Sequence, residues 1–206
     1  MRAKRTYGFA LLLVSLILIS AFSGAVYAKY INKTEFNNNT VTIQANLAEK
    51  FDIIESEVSR NELGKYSLVP GTETSGNKYI LMPGVDIPKD PAIKIGGKTP
   101  LPAYLYVEVV DNITDSAVTY GLTSAWKLLT GVTGPNGGIV YVYNTKLNGT
   151  HADMNVQILE GNKIFVSQEL KHPKNGFVIK FYAYMLQIPE GTTDETTIFK
   201  TALGLS

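Results

Sequence analysis

No cysteine occurs in the 206 residues, and histidine occurs twice. The first absence removes disulfides, thiolate nucleophiles and cysteine-based metal sites together, so the fold has to rest on its apolar core. The second leaves His151 and His172, neither of them in a His-Glu-x-x-His pattern or its inverse, whereas a zinc protease needs two imidazoles one helical turn apart with a carboxylate base between them. His151 follows Asn148-Gly149-Thr150 and His172 precedes Pro173, which predicts loops for both; Asp153 close to His151 adds little to a ligand set. A Gly-x-Ser-x-Gly elbow is missing, and neither histidine is placed as a general base. The "GGKT" at 96–99 has Ala92 where a phosphate-binding loop needs its first glycine, and it reads as a turn. No catalytic, cofactor-binding or metal-ligating residue is therefore assigned, and no cofactor is expected.

An excess of one charge is also lacking. Three of the 19 basic residues, Arg2, Lys4 and Arg5, lie in the first 28 positions, where there is no acid, so 16 basic residues face 18 acidic ones in the remainder. A net charge of −2 there gives no electrostatic case for nucleic acid. Asp86, Asp90, Asp111 and Asp115 are oxygen donors at expected strand ends, but no run spaces them as a calcium loop does, and they read as solvated turn carboxylates. Four Asn-x-Thr triplets, at Asn32, Asn38, Asn112 and Asn148, have meaning only in a host that glycosylates asparagine.

The N-terminus carries the strongest positive signal. "MRAKR" and Thr6 are followed by an uncharged run of 22 residues, from Tyr7, that ends in Val26-Tyr27-Ala28. Small residues at Val26 and Ala28 suit the −3 and −1 positions of a signal peptidase site, with Lys29 opening the mature chain. An uncleaved anchor is the alternative, since a run of about 20 apolar residues can span a bilayer. A pilin-type leader cut between Gly8 and Phe9 lacks the acid expected five residues on, where Leu13 stands.

Beyond the leader, twelve tyrosines, eight phenylalanines and many Thr and Val favour pleated, half-buried surfaces. "NTVTIQANL" places Val41, Ile43, Ala45 and Leu47 on one face of a strand. In "AYLYVEVV", Leu105, Val107 and Val109 oppose Tyr104, Tyr106 and Glu108. Residues 47–58 fit helical and strand spacing equally. "TSAWKLL" and "GIVYVYNTKL" flank "TGVTGPNGG", whose Pro135, Asn136, Gly137 and Gly138 read as a hairpin loop. "NKIFVSQEL" and "GFVIKFYAYMLQI" complete the set, the latter apolar enough to be central. In "MPGVDIPKDPAIKIGG", Pro83, Pro88 and Pro91 remove ladder donors, which predicts an edge crossing between two sheets before a strand resumes at Ile93 and Ile95. About seven strands separated by turn signals predict an all-β fold, an antiparallel β-sandwich.

The order of these pieces is similar to a known family. A cleavable signal, "NNTVTIQANL", "PGVDIPKDPAIKIGG" followed by "AYLYVEVV", a lone Trp126 ahead of "YVYNTKL", and "IKFYAYMLQI" with a downstream "FKTALG" resemble the TasA-like biofilm-matrix fibre proteins and their camelysin relatives, exported Gram-positive proteins processed by a dedicated signal peptidase. The resemblance implies a jelly-roll-like sandwich, secretion to the surface or matrix, and fibres in which the N-terminal segment inserts into a neighbouring subunit. The expected organisation is signal peptide 1–28, arm 29–39 and sandwich 40–206, with cleavage between Ala28 and Lys29. The arm "KYINKTEFNNN" offers Tyr30, Ile31 and Phe36 for burial on a neighbour, each worth roughly 1.5–3 kcal/mol when fully buried, and 11 extended residues reach about 36 Å. A frayed tail is the alternative. Expected partners are further copies or a related fibre subunit and the signal peptidase, with the membrane met only through the uncleaved leader. Some relatives are classed as metalloproteases, so a surface hydrolase is the second functional reading and a monomeric surface adhesin the third.

Overall fold

The computed structural model describes residues 31–36, 39–44, 47–74, 76, 77, 79, 81–170 and 178–205. The signal peptide, Ala28, Lys29, Tyr30 and His172 lie outside the described residues. The fold is all-β, as expected, with every strand pairing but one antiparallel among the described residues, and carries one short α-helix. Its axis is a 20-residue strand, β7 (Ala92–Asp111), which belongs to two neighbourhoods at once. The first half of β7 lies between β3 (Lys50–Ile54) and β11 (Leu147–Gln157), and the second half between β13 (Ile179–Gln187) and β10 (Ile139–Tyr143). Beyond β13 come β2 (Asn39–Gln44) and β1 (Ile31–Phe36); beyond β10 comes β9 (Trp126–Thr133).

One core gathers Ile93 and Ile95 from the first half of β7 and Leu105, Val107 and Val109 from the second, together with Ile53, Val156, Phe181 and Met185. Residues from both halves meet in one cluster because the strand bends round it. The bend falls at 97–102, later than the sequence predicts. Gly97 has φ +89°, and the β11 register steps from Leu147 opposite Ala103 to Gly149 opposite Thr99, so Pro100-Leu101-Pro102 bulges where no ladder donor is needed. The proline-rich stretch before it contributes the two-residue strand β6 (Ile87–Pro88), which pairs with β12 (Lys163–Val166), itself paired with β8 (Val118–Thr119). The "GGKT" at 96–99 is accordingly part of β7 and not a turn, and Thr99 is fully buried.

The ambiguous 47–58 segment resolves as strand: β3 buries Ile53, and β4 (Val58–Arg60) pairs with β5 (Tyr66–Leu68). Where β3 ends, the Lys89 ammonium sits 2.6 Å from the buried Glu55 carboxylate, between the rings of Tyr79 and Phe181. Asp90 accepts from both Ser56 N and Ser56 Oγ. These bonds fasten the motif Lys89-Asp90-Pro91 against the end of β3.

The opposite face of β7 and β13 is covered by α1 (Glu195–Leu203). Asp194 caps α1 through Thr197 N at 2.8 Å, an interaction that holds its carboxyl below the usual range, and Gly204 closes it at φ +65°. Phe199 lies 4.9 Å from the Tyr106 ring and 5.4 Å from the Tyr184 ring, and Tyr106 Oη donates to Glu195 O. The central position expected for "IKFYAYMLQI" is therefore observed, with apolar material packed on both of its faces.

Candidate assembly edge

The β1–β2 hairpin occupies one end of the large sheet. β1 runs against β2 without interruption, from Ile31 opposite Gln44 to Phe36 opposite Asn39. β2 in turn lies parallel to β13, with Thr40 opposite Tyr182 and Ile43 opposite Met185. The Thr/Val/Ile alternation of 40–43 suits a pleated strand. Ile31 and Phe36 are thus the first and last residues of β1, and the strand pairs within its own chain. The sequence shows no partner hairpin ahead of 29–39; β1 pairs instead with β2, which follows it two residues on, and so short a separation makes closure of the hairpin entropically cheap.

The two ends of the strand path β1-β2-β13-β7-β10-β9 differ; β3 and β11 pair with β7 off that path. At β9 the strand carries Gly131 at φ +73°, and its register with β10 shifts between Ile139 and Tyr141. Such a bulge twists an edge away from straight pairing. At β1 the register is unbroken over six residues, and among the described residues no further strand lies beyond it. One row of its N–H and C=O groups serves β2, and the opposite row faces outward from the sheet.

The sheet behind this edge is stiffened by a buried carboxylate that the sequence reading treats only as the polar side of an alternation. Glu108 is fully buried and accepts from Asn136 N (2.9 Å), Gly138 N (2.8 Å), Asn136 Nδ2 (2.9 Å) and Tyr184 Oη (2.6 Å). Four donors on one carboxylate meet the cost of removing the charge from water. Burial, and then the bond to Glu108, push the Tyr184 hydroxyl well above its ordinary range. A Cβ on Gly134 would lie 2.2 Å from Glu108 Cδ, and one on Gly138 would lie 2.4 Å from Val109 O. The β9–β10 loop closes over the carboxylate only because both positions are glycine. A lone acid inside "AYLYVEVV", ahead of a Gly-rich hairpin, is the signal that marks such an anchor in sequence.

The remaining candidates separate. His151 lies in β11 opposite Gly97, not in a loop, and its Nε2 is buried with no hydrogen-bond partner among the described residues. The strand was hidden in sequence by Gly149, at φ +86°, and by the irregular register between His151 and Met154. Asp86 binds Lys163 Nζ at 3.0 Å, Asp111 accepts from Ile113 N and Tyr120 Oη, and Asp115 accepts from Ala117 N. With Asp90 on Ser56, each of the four turn carboxylates serves its own local bond. Among the described residues no three His, Asp or Glu side chains are grouped to hold a metal ion. No helix of the described residues is long and apolar enough to cross a membrane.

Compared with known proteins, the chain matches no family model, no curated protein and no solved structure.

Proposed function

We propose that this chain is a secreted structural protein, a subunit of surface or matrix fibres that assembles through its N-terminal strand after the leader 1–28 is removed. The observation that carries the reading is the contrast between sheet ends: a regular six-residue edge at β1 and a bulged one at β9. The family resemblance of the sequence supports the same reading, and the jelly-roll form and secretion it implies are part of the proposal. Removal of the leader leaves β1 within a few residues of the new N-terminus, where it has little covalent restraint on one side.

Magnitudes favour exchange of the strand over simple addition to an edge. Adding β1 to a neighbour forms roughly six backbone hydrogen bonds at about 1 kcal/mol net each. Association costs about 4–15 kcal/mol, so addition alone is marginal. If β1 instead leaves its own β2 and takes the equivalent place on the next copy, the hairpin bonds are conserved and the repeat is head-to-tail, which generates an open filament.

The hydrolase reading has less support, because His151 presents a buried Nε2 within a strand and the carboxylates are dispersed. Sedimentation velocity across a concentration series tests the proposal. The chain beginning at Lys29 is expected to form polymers as concentration rises, and a chain beginning at Thr40 is expected to remain a monomer. Identical monomeric behaviour of the two overturns the reading.

A further inference from the structure

At the end of the sheet away from α1, β7 and β13 leave a cleft of about 370 Å³ on the face that α1 covers further along. Its floor is Val110, Lys180 and Tyr182, with Lys180 opposite Val110 and Tyr182 opposite Glu108. Its two walls are each clamped to the sheet. On one side, Asn136 is held by its backbone N and its Nδ2 on the buried Glu108, with a second Nδ2 bond of 3.0 Å to Tyr184 Oη. On the other, Asn112 Oδ1 accepts from Val178 N at 2.8 Å and Asn112 N donates to Val178 O. The space between two fixed walls is preformed, as a ligand site requires.

What the walls offer decides the class of ligand. Both Nδ2 hydrogens of Asn136 are committed, so its Oδ1 is the group left to face a ligand, and among the described residues nothing donates to it. Lys180 supplies donors and is in no ion pair among the described residues. Tyr182 is half-buried and adds a ring face and a hydroxyl; Val110 and Val178 add apolar surface. An anion would meet the Asp111 carboxylate, which also lines the cleft, and the Asn136 carbonyl, while a cation would meet Lys180. A ligand that both donates and accepts while presenting an apolar C–H face satisfies all of these groups. An extended peptide is less suited, because β7 and β13 are paired with each other along the floor, so the cleft offers side chains and no strand edge.

We infer that this cleft is a binding site for an uncharged sugar residue of a polysaccharide, with the ring stacked on Tyr182 and its hydroxyls shared between Lys180 and Asn136. One strand, β2, separates the site from β1, since Tyr182 pairs with Thr40 of β2.

The test is an amide-shift NMR titration of the chain beginning at Lys29, held below the concentration at which sedimentation shows it to assemble, with cellohexaose, N-acetylchitohexaose, a galacturonic acid hexamer and an alanine-rich hexapeptide, each to about 10 mM. The inference expects one of the two neutral oligosaccharides to shift Val110, Asn136, Lys180 and Tyr182. It expects Tyr182→Ala and Lys180→Met, each still unfolding in one cooperative thermal transition, to weaken that binding by about tenfold or more. It is overturned if neither neutral sugar binds, if the shifts map elsewhere, if only the acidic hexamer or the peptide binds, or if both folded variants bind like the parent.

Discussion

At the scale of single residues, Glu108 makes the sharpest demand. Replacing it with alanine leaves two buried donors, Gly138 N and Tyr184 Oη, without their acceptor and releases the part-buried Asn136, and such a loss costs about 3–5 kcal/mol. Glu108→Gln keeps one acceptor but turns an amide N–H₂ toward donors, so a smaller loss of about 2–3 kcal/mol is expected. Urea denaturation monitored by Trp126 fluorescence measures both, with a lowered midpoint and an unchanged slope for each. Lys89→Ala, which strands the buried Glu55 carboxylate, is expected to cost a similar 3–5 kcal/mol.

The buried tyrosines set a pH dependence at the same scale. Burial raises the hydroxyls of Tyr106 and Tyr184 far above the ordinary value of 10.0, helped by Glu195 for the first and Glu108 for the second. The folded chain keeps both protons where the unfolded chain releases them. Their contribution is complete below about pH 10 and is lost as pH rises further, by about 1.4 kcal/mol per pH unit for each tyrosine. Alkaline titration followed by phenolate absorbance is expected to leave Tyr106 and Tyr184 silent until the chain unfolds. Ionisation of all tyrosines in the intact fold near pH 10 contradicts this.

At the scale of elements, α1 holds its face of the sheet through Ile198 and Phe199. Phe199→Ala removes a fully buried ring between two tyrosines and is expected to cost about 3–5 kcal/mol, with near-ultraviolet circular dichroism of the aromatic cluster diminished in proportion. The helix was legible but went unread. Asp194 three residues before Thr197, the spacing of Ile198, Phe199 and Ala202, and Gly204 past the end are start, face and stop signals in order. β13 and the β9–β10 hairpin were legible because a nearly continuous apolar run and a Pro-Asn-Gly-Gly turn state their own structure. β11 was not, since its period breaks at two irregularities, and β4, β5, β6 and β8 are too short to show a period at all. The bend of β7 was misplaced because Pro88 and Pro91 are as proline-like in sequence as Pro100 and Pro102. Only pairing with β11 shows which prolines stand where the ladder steps.

At the scale of the whole molecule, a chain without cysteine divides its apolar residues between a large core inside the bent β7 and a smaller one beneath α1. Both are tied to β13, which also carries β2 and hence β1. Among the described residues β1 pairs with β2 alone, and exchange of such an edge strand between subunits is what the proposed strand-mediated assembly requires. Ile31 and Phe36, which the sequence singles out in the arm, are the two ends of β1, but the pairing of that strand within the chain was not legible, because a hairpin of "INKTEF" with "NTVTIQ" has little apolar alternation on its first arm. Electron microscopy of the purified chain beginning at Lys29, beside one beginning at Thr40, tests this account most directly. Filaments of uniform width from the first and isolated particles from the second are predicted. Isolated particles from both, or the same filaments from both, would contradict assembly through the N-terminal strand.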